Sequence, residues 1–210
     1  MPCESLDIWT DVAGIYTTDP RVVPQAARID KISFSEASEM ATYGAKFLHP
    51  ATLLPAMRKN IPVFVGSSKK PADGGTLVCS STDNPPCYRA LAVRRKQTLL
   101  KLHSLNTRHP CHFLADMFAV LSRHHVDIDL MTTSETSMAL VLDAGSSTSG
   151  DADALTTSLL TELSSLCRVD VETDLALVTL VGNQLSQASG VCQAVFADLE
   201  KHAVRMICHG

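Results

Sequence analysis

Apolar and polar positions follow two different rhythms along this chain. Up to about residue 80, short apolar runs such as Leu6-Asp7-Ile8-Trp9 and Ile61-Pro62-Val63-Phe64-Val65 are separated by turn-forming segments, and seven of the ten prolines fall there. This texture reads as loop-rich α/β material. Two helices are predicted within it. The first spans Ser33 to Ala45: Ser33 and Glu36 match a capping box, and Phe34, Ala37, Met40 and Ala41 form one apolar stripe that would pack on a sheet. The second covers Pro50 to Arg58.

Ser80 to Pro86 is dense in turn formers and marks a domain boundary. Beyond it the pattern predicts strand Leu99–Leu105, helix Phe113–His125, strands Asp127–Met131 and Ser137–Asp143, helix Asp153–Cys167 and strand Arg168–Val171. The second helix is announced by the loop Gly145 to Gly150, with Asp151 or Asp153 as its N-cap. The order is βαββαβ. A shift of 78 residues lays Leu102 on Leu180, Phe118-Ala119 on Phe196-Ala197, Leu121 on Leu199, Val126 on Val204 and Ile128 on Met206. Strand, connection, helix and strand therefore recur, and the second copy stops at Gly210 with elements still to come. Two such units in tandem predict paired ferredoxin-like folds, each a four-stranded antiparallel sheet with two helices on one face.

Composition narrows the function classes. Eighteen Lys plus Arg against twenty-two Asp plus Glu give a net charge of −4. No stretch concentrates basic residues with aromatics, which argues against a nucleic-acid partner. No window approaches the roughly 18 uninterrupted apolar residues of a membrane helix, and the acidic start does not read as a signal sequence, so no membrane partner and a cytoplasmic setting are expected. The seven cysteines are odd in number and scattered, which reads as reduced thiols. A zinc site from Cys111, His109 and His112 would lack a second cluster to complete a tetrahedron. Both termini read as cut, since the chain opens almost directly on a strand-like run and stops just after another.

The run from Asp7 to Arg21, Asp-Ile-Trp-Thr-Asp-Val-Ala-Gly-Ile-Tyr-Thr-Thr-Asp-Pro-Arg, closely resembles the aspartokinase nucleotide-site segment. Gly44-Ala45-Lys46-Phe47-Leu48-His49-Pro50 matches a second signature of that family, and the likeness continues through Leu102 to Asn106 and Thr132 to Glu135. The nearest likeness is to the lysine-sensitive, single-function type. The resemblance implies the C-terminal part of an amino-acid-kinase α/β domain followed by tandem ferredoxin-like ACT domains, the second incomplete, a fold class of α/β plus α+β. The boundaries it suggests are a partial kinase domain at 1–80, a linker and a strand of the second ACT unit at 81–96, the first ACT domain at 97–172 and a truncated second one at 173–210. One ACT unit is inserted within the other in this family, so Arg89 to Val93 would supply a strand to the second unit. The family's Lys-Phe-Gly-Gly phosphate segment and its aspartate-binding Ser, Glu and Arg precede the point where this chain begins.

The family's reaction moves phosphate from ATP, with Mg²⁺, to the side-chain carboxylate of L-aspartate. It is carried mostly by positioning and charge neutralisation. The resemblance implies that Thr10 and Asp11 hydrogen-bond the nucleoside, that Tyr16 packs at the nucleotide, that Arg21 meets phosphate oxygens, and that Lys46 with the backbone of Phe47 completes the site. Asp11 and Asp19 are the acidic candidates near Mg²⁺. Plainer readings exist: Asp11 and Asp19 are residues that turns use anyway, Lys46 would complement a helix dipole, and Tyr16 would be a half-buried core aromatic. With the acceptor pocket absent, no catalytic residue is assigned and no kinase activity is expected of this polypeptide alone.

The resemblance also implies a lysine site at the first ACT unit, near a homodimer interface between two such units. Asp129 and Glu135 are the candidate cation partners, with Thr107, Phe113, Leu114, Asp127, Ile128 and Ser134 around them. Alternatively Asp127 and Asp129 are the solvated face of an edge strand. Pro110, which lacks a backbone donor, His112 in place of a glycine and Asp127 in place of a serine depart from the family pattern and would alter effector affinity. Two rival readings stand beside the kinase one: a non-catalytic amino-acid-binding regulatory module or subunit, and a truncated product without a stable fold.

Overall fold

The structure is a computed structural model that describes residues 3–43, 50–105, 110–142 and 155–209. The chain divides into two compact units, Met1–Arg94 with Val178–Phe196, and Arg95–Leu177 with Ala197–Gly210.

The first unit is built on strands β1 (Leu6–Thr10), β4 (Lys31–Ser33), β5 (Val63–Ser67) and β6 (Gly75–Cys79), in the order β1-β5-β6-β4. β1 runs parallel to β5 and β4 parallel to β6, while β5 and β6 are antiparallel. Strands β2 (Ile15–Tyr16) and β3 (Arg28–Ile29) form a short antiparallel ribbon. Helices α1 (Phe34–Thr42) and α2 (Pro50–Arg58) cover one face, where Val63, Val65, Val78, Ile32, Phe34, Met40 and Leu53 make the core. The capping box is formed as the sequence predicts. Ser33 accepts from the Glu36 N–H, and the Glu36 carboxylate accepts from the Ser33 N–H at 2.8 Å. Proline at the first position of α2 gives up only an amide that has no intrahelical acceptor. The helix ends on Asn60 at φ 51, with Ile61 N–H returning to the Ala56 carbonyl.

The second unit follows the order βαββαβ: β7 (Tyr88–Ser104) from Arg95 onward, α3 (Pro110–Arg123), β8 (Ile128–Thr133), β9 (Ser137–Leu142), α4 (Thr157–Leu166) and β10 (Cys167–Gly182) as far as Leu177. The sheet order β10-β7-β9-β8 places the fourth strand beside the first and the second at the edge, which is the ferredoxin-like arrangement. Leu100 and Leu102 on β7 and Met138, Leu140 and Leu142 on β9 point to one face by period two, where Met117, Val120 and Leu121 of α3 and Leu159 and Leu163 of α4 bury them. Helix α3 stops at a left-handed His125, φ 52, with Val126 N–H bonded to the Leu121 carbonyl.

Four expectations change. The strands read separately at Arg89–Val93 and Gln97–Leu105 are one 17-residue strand, β7, which carries a left-handed Lys96 at φ 57. The strand expected over Arg168–Val171 continues to Gly182 as β10. Helix α4 starts at Thr157 and is capped by Thr156, whose hydroxyl accepts from Leu159 N–H at 3.2 Å; Asp151 and Asp153 lie outside the described residues. The repeat places a helix correctly at α5 (Val191–Asp198), but the strand it predicts around Val204 and Met206 is not formed. Side chains hold that segment instead of a ladder: Arg205 reaches Glu172 at 2.9 Å and the Cys208 thiol faces the Met131 carbonyl.

Candidate functional site

In α/β folds ligands bind in the crevice beyond the carboxyl ends of parallel strands, an edge of the sheet where backbone groups are left without ladder partners. In the first unit that edge is the parallel pair β1/β5, with Thr10 opposite Ser67. Thr10 closes β1, and its hydroxyl donates to Asp11 Oδ1 at 3.2 Å. The Thr10 carbonyl accepts from both the N–H and the hydroxyl of Ser68, at 2.8 and 3.0 Å. Asp11 is exposed.

The chain then turns through Gly14 at φ 114, a region costly for any residue with a Cβ. A Cβ there would lie 2.7 Å from Thr76 Oγ1. Thr76, fully buried, donates its hydroxyl to the Ile29 carbonyl at 2.6 Å and accepts from Ile15 N–H at 2.8 Å, tying the β2/β3 ribbon to β6. That ribbon carries half-buried Tyr16, paired in register with Arg28.

Arg21 is placed differently from a free phosphate ligand. Its guanidinium forks Asp19, with Nε 3.0 Å from Oδ1 and Nη2 2.8 Å from Oδ2. This hydrogen-bonded pairing lowers the Asp19 carboxyl and raises the Arg21 guanidinium, with Asp11 adding to the latter, so Asp11, Asp19 and Arg21 share one electrostatic neighbourhood. Both partners are solvated, Arg21 at 82% side-chain exposure, so the fork can open to a competing anion at little cost. Lys46 and Phe47 lie outside the described residues. Among the described residues no group of three or more His, Cys, Asp or Glu side chains forms a metal-binding cluster.

In the second unit the candidate effector residues gather around the first turn of α3, β8 and the β8/β9 turn. Phe113 and Leu114, in that first turn, pack partly on the core together with Ile128. Asp127 precedes β8 and is exposed. Asp129 falls where the β8/β9 register slips, between the Ile128–Leu142 and Leu130–Val141 pairs, so the two aspartates do not share a face by simple alternation. Ser134 is committed to the turn: its N–H donates to the Ser137 carbonyl at 2.8 Å and its hydroxyl accepts from Ser137 N–H at 3.1 Å. Glu135 is exposed at the turn. Thr107 lies outside the described residues. Pro110 opens α3, where a missing N–H is harmless, and His112 is helical, so neither departure disturbs the backbone of the helix.

Sequence reasoning did not reach Ser68, Thr76 or the partners of Glu36. In the first unit the Glu36 carboxylate meets Arg89 Nε at 3.0 Å and accepts from Asn183 Nδ2 at 2.7 Å, while Arg89 Nη2 donates to the Lys31 carbonyl. The only local signal was the capping box itself, which predicts a carboxylate near Ser33 but not its distant partners. All seven cysteines are free thiols, and no described helix is long and apolar enough to cross a membrane.

Residues 1–67 match the amino acid kinase family model. The chain is 65% identical over 205 residues to the lysine-sensitive aspartokinase 3 of Escherichia coli (strain K12), an alignment covering 98% of this chain and 46% of that enzyme. It is similar to the solved structure of E. coli aspartokinase III in complex with aspartate and ADP in the R-state, with a TM-score of 0.91 and 64% identity over 99% of this chain and 46% of that one. The T-state of that enzyme in complex with lysine and aspartate matches with a TM-score of 0.84 and 63% identity over 99% of this chain and 46% of that one. The chain spans about half the length of these relatives. Sequence along nearly the whole chain and fold agree: it is similar to about half of an aspartokinase.

Proposed function

We propose that this chain supplies the nucleotide-side wall and the lysine-responsive ACT part of an aspartokinase. The whole enzyme transfers phosphate from MgATP to the side-chain carboxylate of L-aspartate, the first step toward lysine, threonine and methionine. In this reading Thr10 and Asp11 hold the nucleoside and Tyr16 packs beside it. Arg21 exchanges Asp19 for phosphate oxygens, and Lys46 and the Phe47 backbone complete the wall. Lysine is held by Asp129 and Glu135, lined by Thr107, Phe113, Leu114, Asp127, Ile128 and Ser134. Two copies pair through ACT units in the cytoplasm.

The domain division follows the same reading: kinase part to residue 80, linker and inserted strand to 96, first ACT unit to 172 and the beginning of a second after it. The observation that carries the proposal is the junction, in one chain, of a parallel-strand corner bearing Thr10-Asp11 with a ferredoxin-like βαββαβ unit. The solved relatives with ADP, aspartate and lysine support the ligand assignment.

The remaining Arg and Lys cannot orient an acceptor oxygen without an aspartate pocket, so the polypeptide alone does not catalyse the transfer. The test is a hydroxamate assay on purified chain with ATP, Mg²⁺ and aspartate. The expected outcome is no β-aspartyl phosphate above the protein-free control, and turnover would refute this part of the proposal.

A further inference from the structure

Ser68 stands one residue past β5 and spends both of its donors on a single acceptor, the carbonyl of Thr10. That carbonyl belongs to the peptide joining Thr10 to Asp11. Rotation of this peptide would break both bonds, so Ser68 clamps the plane that sets where the Asp11 N–H points and where the Thr10 hydroxyl and Asp11 carboxylate are presented. The clamp is itself braced, because Lys69 N–H donates to the Ser67 hydroxyl at 3.3 Å across the turn. Ser67 is buried, whereas Ser68 and Asp11 are exposed, so a rigid floor supports a reachable rim.

The Thr10 hydroxyl and the Asp11 carboxylate, bonded to each other at 3.2 Å on that clamped peptide, offer oxygens that suit the hydroxyl and amino groups of a nucleoside. Fixing them before binding removes the ordering cost from the binding step. We propose that Ser68 is a positioning residue for the nucleoside moiety of an adenine nucleotide, acting through the Thr10–Asp11 peptide without touching the ligand. The proposal rests on the nucleotide reading of this corner.

The chain's single tryptophan, Trp9, is 48% exposed and two residues from Asp11, so its fluorescence reports on this corner. ADP and adenosine are each titrated into wild type, Ser68→Ala, Ser68→Thr and Ser68→Cys, with calorimetry in parallel. Loss of one hydroxyl hydrogen bond predicts roughly three- to tenfold weaker binding of ADP and adenosine alike in Ser68→Ala. Ser68→Thr should stay within about twofold of wild type because it keeps the hydroxyl. Where Ser68→Ala does not fold, Ser68→Cys keeps the volume with a weaker bond and should still bind less tightly. Equal binding by wild type and the Ala or Cys variant overturns the proposal. A loss confined to ADP overturns it too, because it would make Ser68 a phosphate contact. Wild type that binds neither ligand refutes the nucleotide reading and this inference together, whereas wild-type binding with an unaffected variant refutes the Ser68 role alone.

Discussion

Glu36 and Arg89, 53 positions apart in the sequence, form a buried ion pair at 3.0 Å in which the carboxylate side chain is 4% and the guanidinium side chain 12% exposed. Burial pushes the Glu36 carboxyl up, but hydrogen bonds from Asn183 and from the N–H and hydroxyl of Ser33, together with the Arg89 charge, outweigh it and hold the group below its ordinary range. One carboxylate thus caps α1 and fastens two distant chain segments to it. Glu36→Ala removes the counter-charge of a largely buried guanidinium, which keeps only the Lys31 carbonyl, and one of two acceptors of the Asn183 amide, and should cost about 3–5 kcal/mol. Urea unfolding followed by circular dichroism measures this, and a loss below about 1 kcal/mol would contradict it.

The same pair sets the sign of an acid effect. Because the folded Glu36 carboxyl titrates below its unfolded value of about 4.3, its contribution is complete above that pH and is lost as pH falls through the folded value. The melting temperature of wild type should therefore fall on acidification below about pH 4.3, and the gap between wild type and Glu36→Gln should narrow. A gap that stays constant down to pH 3 would show that the charge of Glu36 is not what matters.

Gly14 and Thr76 make a second linked pair. Gly14→Ala must adopt φ 114 and place its Cβ 2.7 Å from Thr76 Oγ1, so it should destabilise by roughly 2–4 kcal/mol. Thr76→Val keeps the volume but leaves the Ile15 N–H and Ile29 carbonyl without the hydroxyl, at about 1–3 kcal/mol. Because Val sets a methyl where the hydroxyl stood, the clash persists, and urea unfolding of the double variant should show at least the sum of the two losses.

His125 offers a change in the other direction. It caps α3 with a left-handed backbone, φ 52, and its side chain is exposed. Glycine takes that conformation without a Cβ penalty, so His125→Gly should raise stability by about 0.5–1 kcal/mol, read as a higher melting temperature.

Cysteine reactivity distinguishes the buried thiol from the others. Burial against Met117 raises the Cys167 thiol to about 11, whereas Cys3, Cys111 and Cys192 are exposed. Alkylation of native protein at pH 8 should label those three quickly and leave Cys167 unmodified until the chain is unfolded, as peptide mass spectrometry would record.

What the sequence made legible was local. The Ser33–Glu36 box, the start of α2 at Pro50 and the βαββαβ order each follow from neighbouring residues. The repeat found helix α5 but not the fate of Val204 to Met206, because strand formation needs a ladder partner that a helix does not. Asn183 and Glu36 lie 147 positions apart, and Ser68 meets Thr10 only through a parallel pairing; no periodicity within either segment encodes such contacts. Thr156 caps α4 because its hydroxyl reaches the Leu159 N–H, and composition alone could not single it out from the other oxygen-bearing side chains upstream. At the candidate effector site, the register slip at Asp129 breaks the alternation on which the two-aspartate face relied.

The central claim, that a lysine-responsive unit has been joined to a nucleotide-side corner, is tested most directly by calorimetric titration of L-lysine into the purified chain and into Asp129→Ala. Saturable binding in wild type that is weakened at least tenfold in Asp129→Ala, with both proteins melting cooperatively, is the predicted result. No heat of binding in wild type, or equal affinity in the two proteins, would contradict the account.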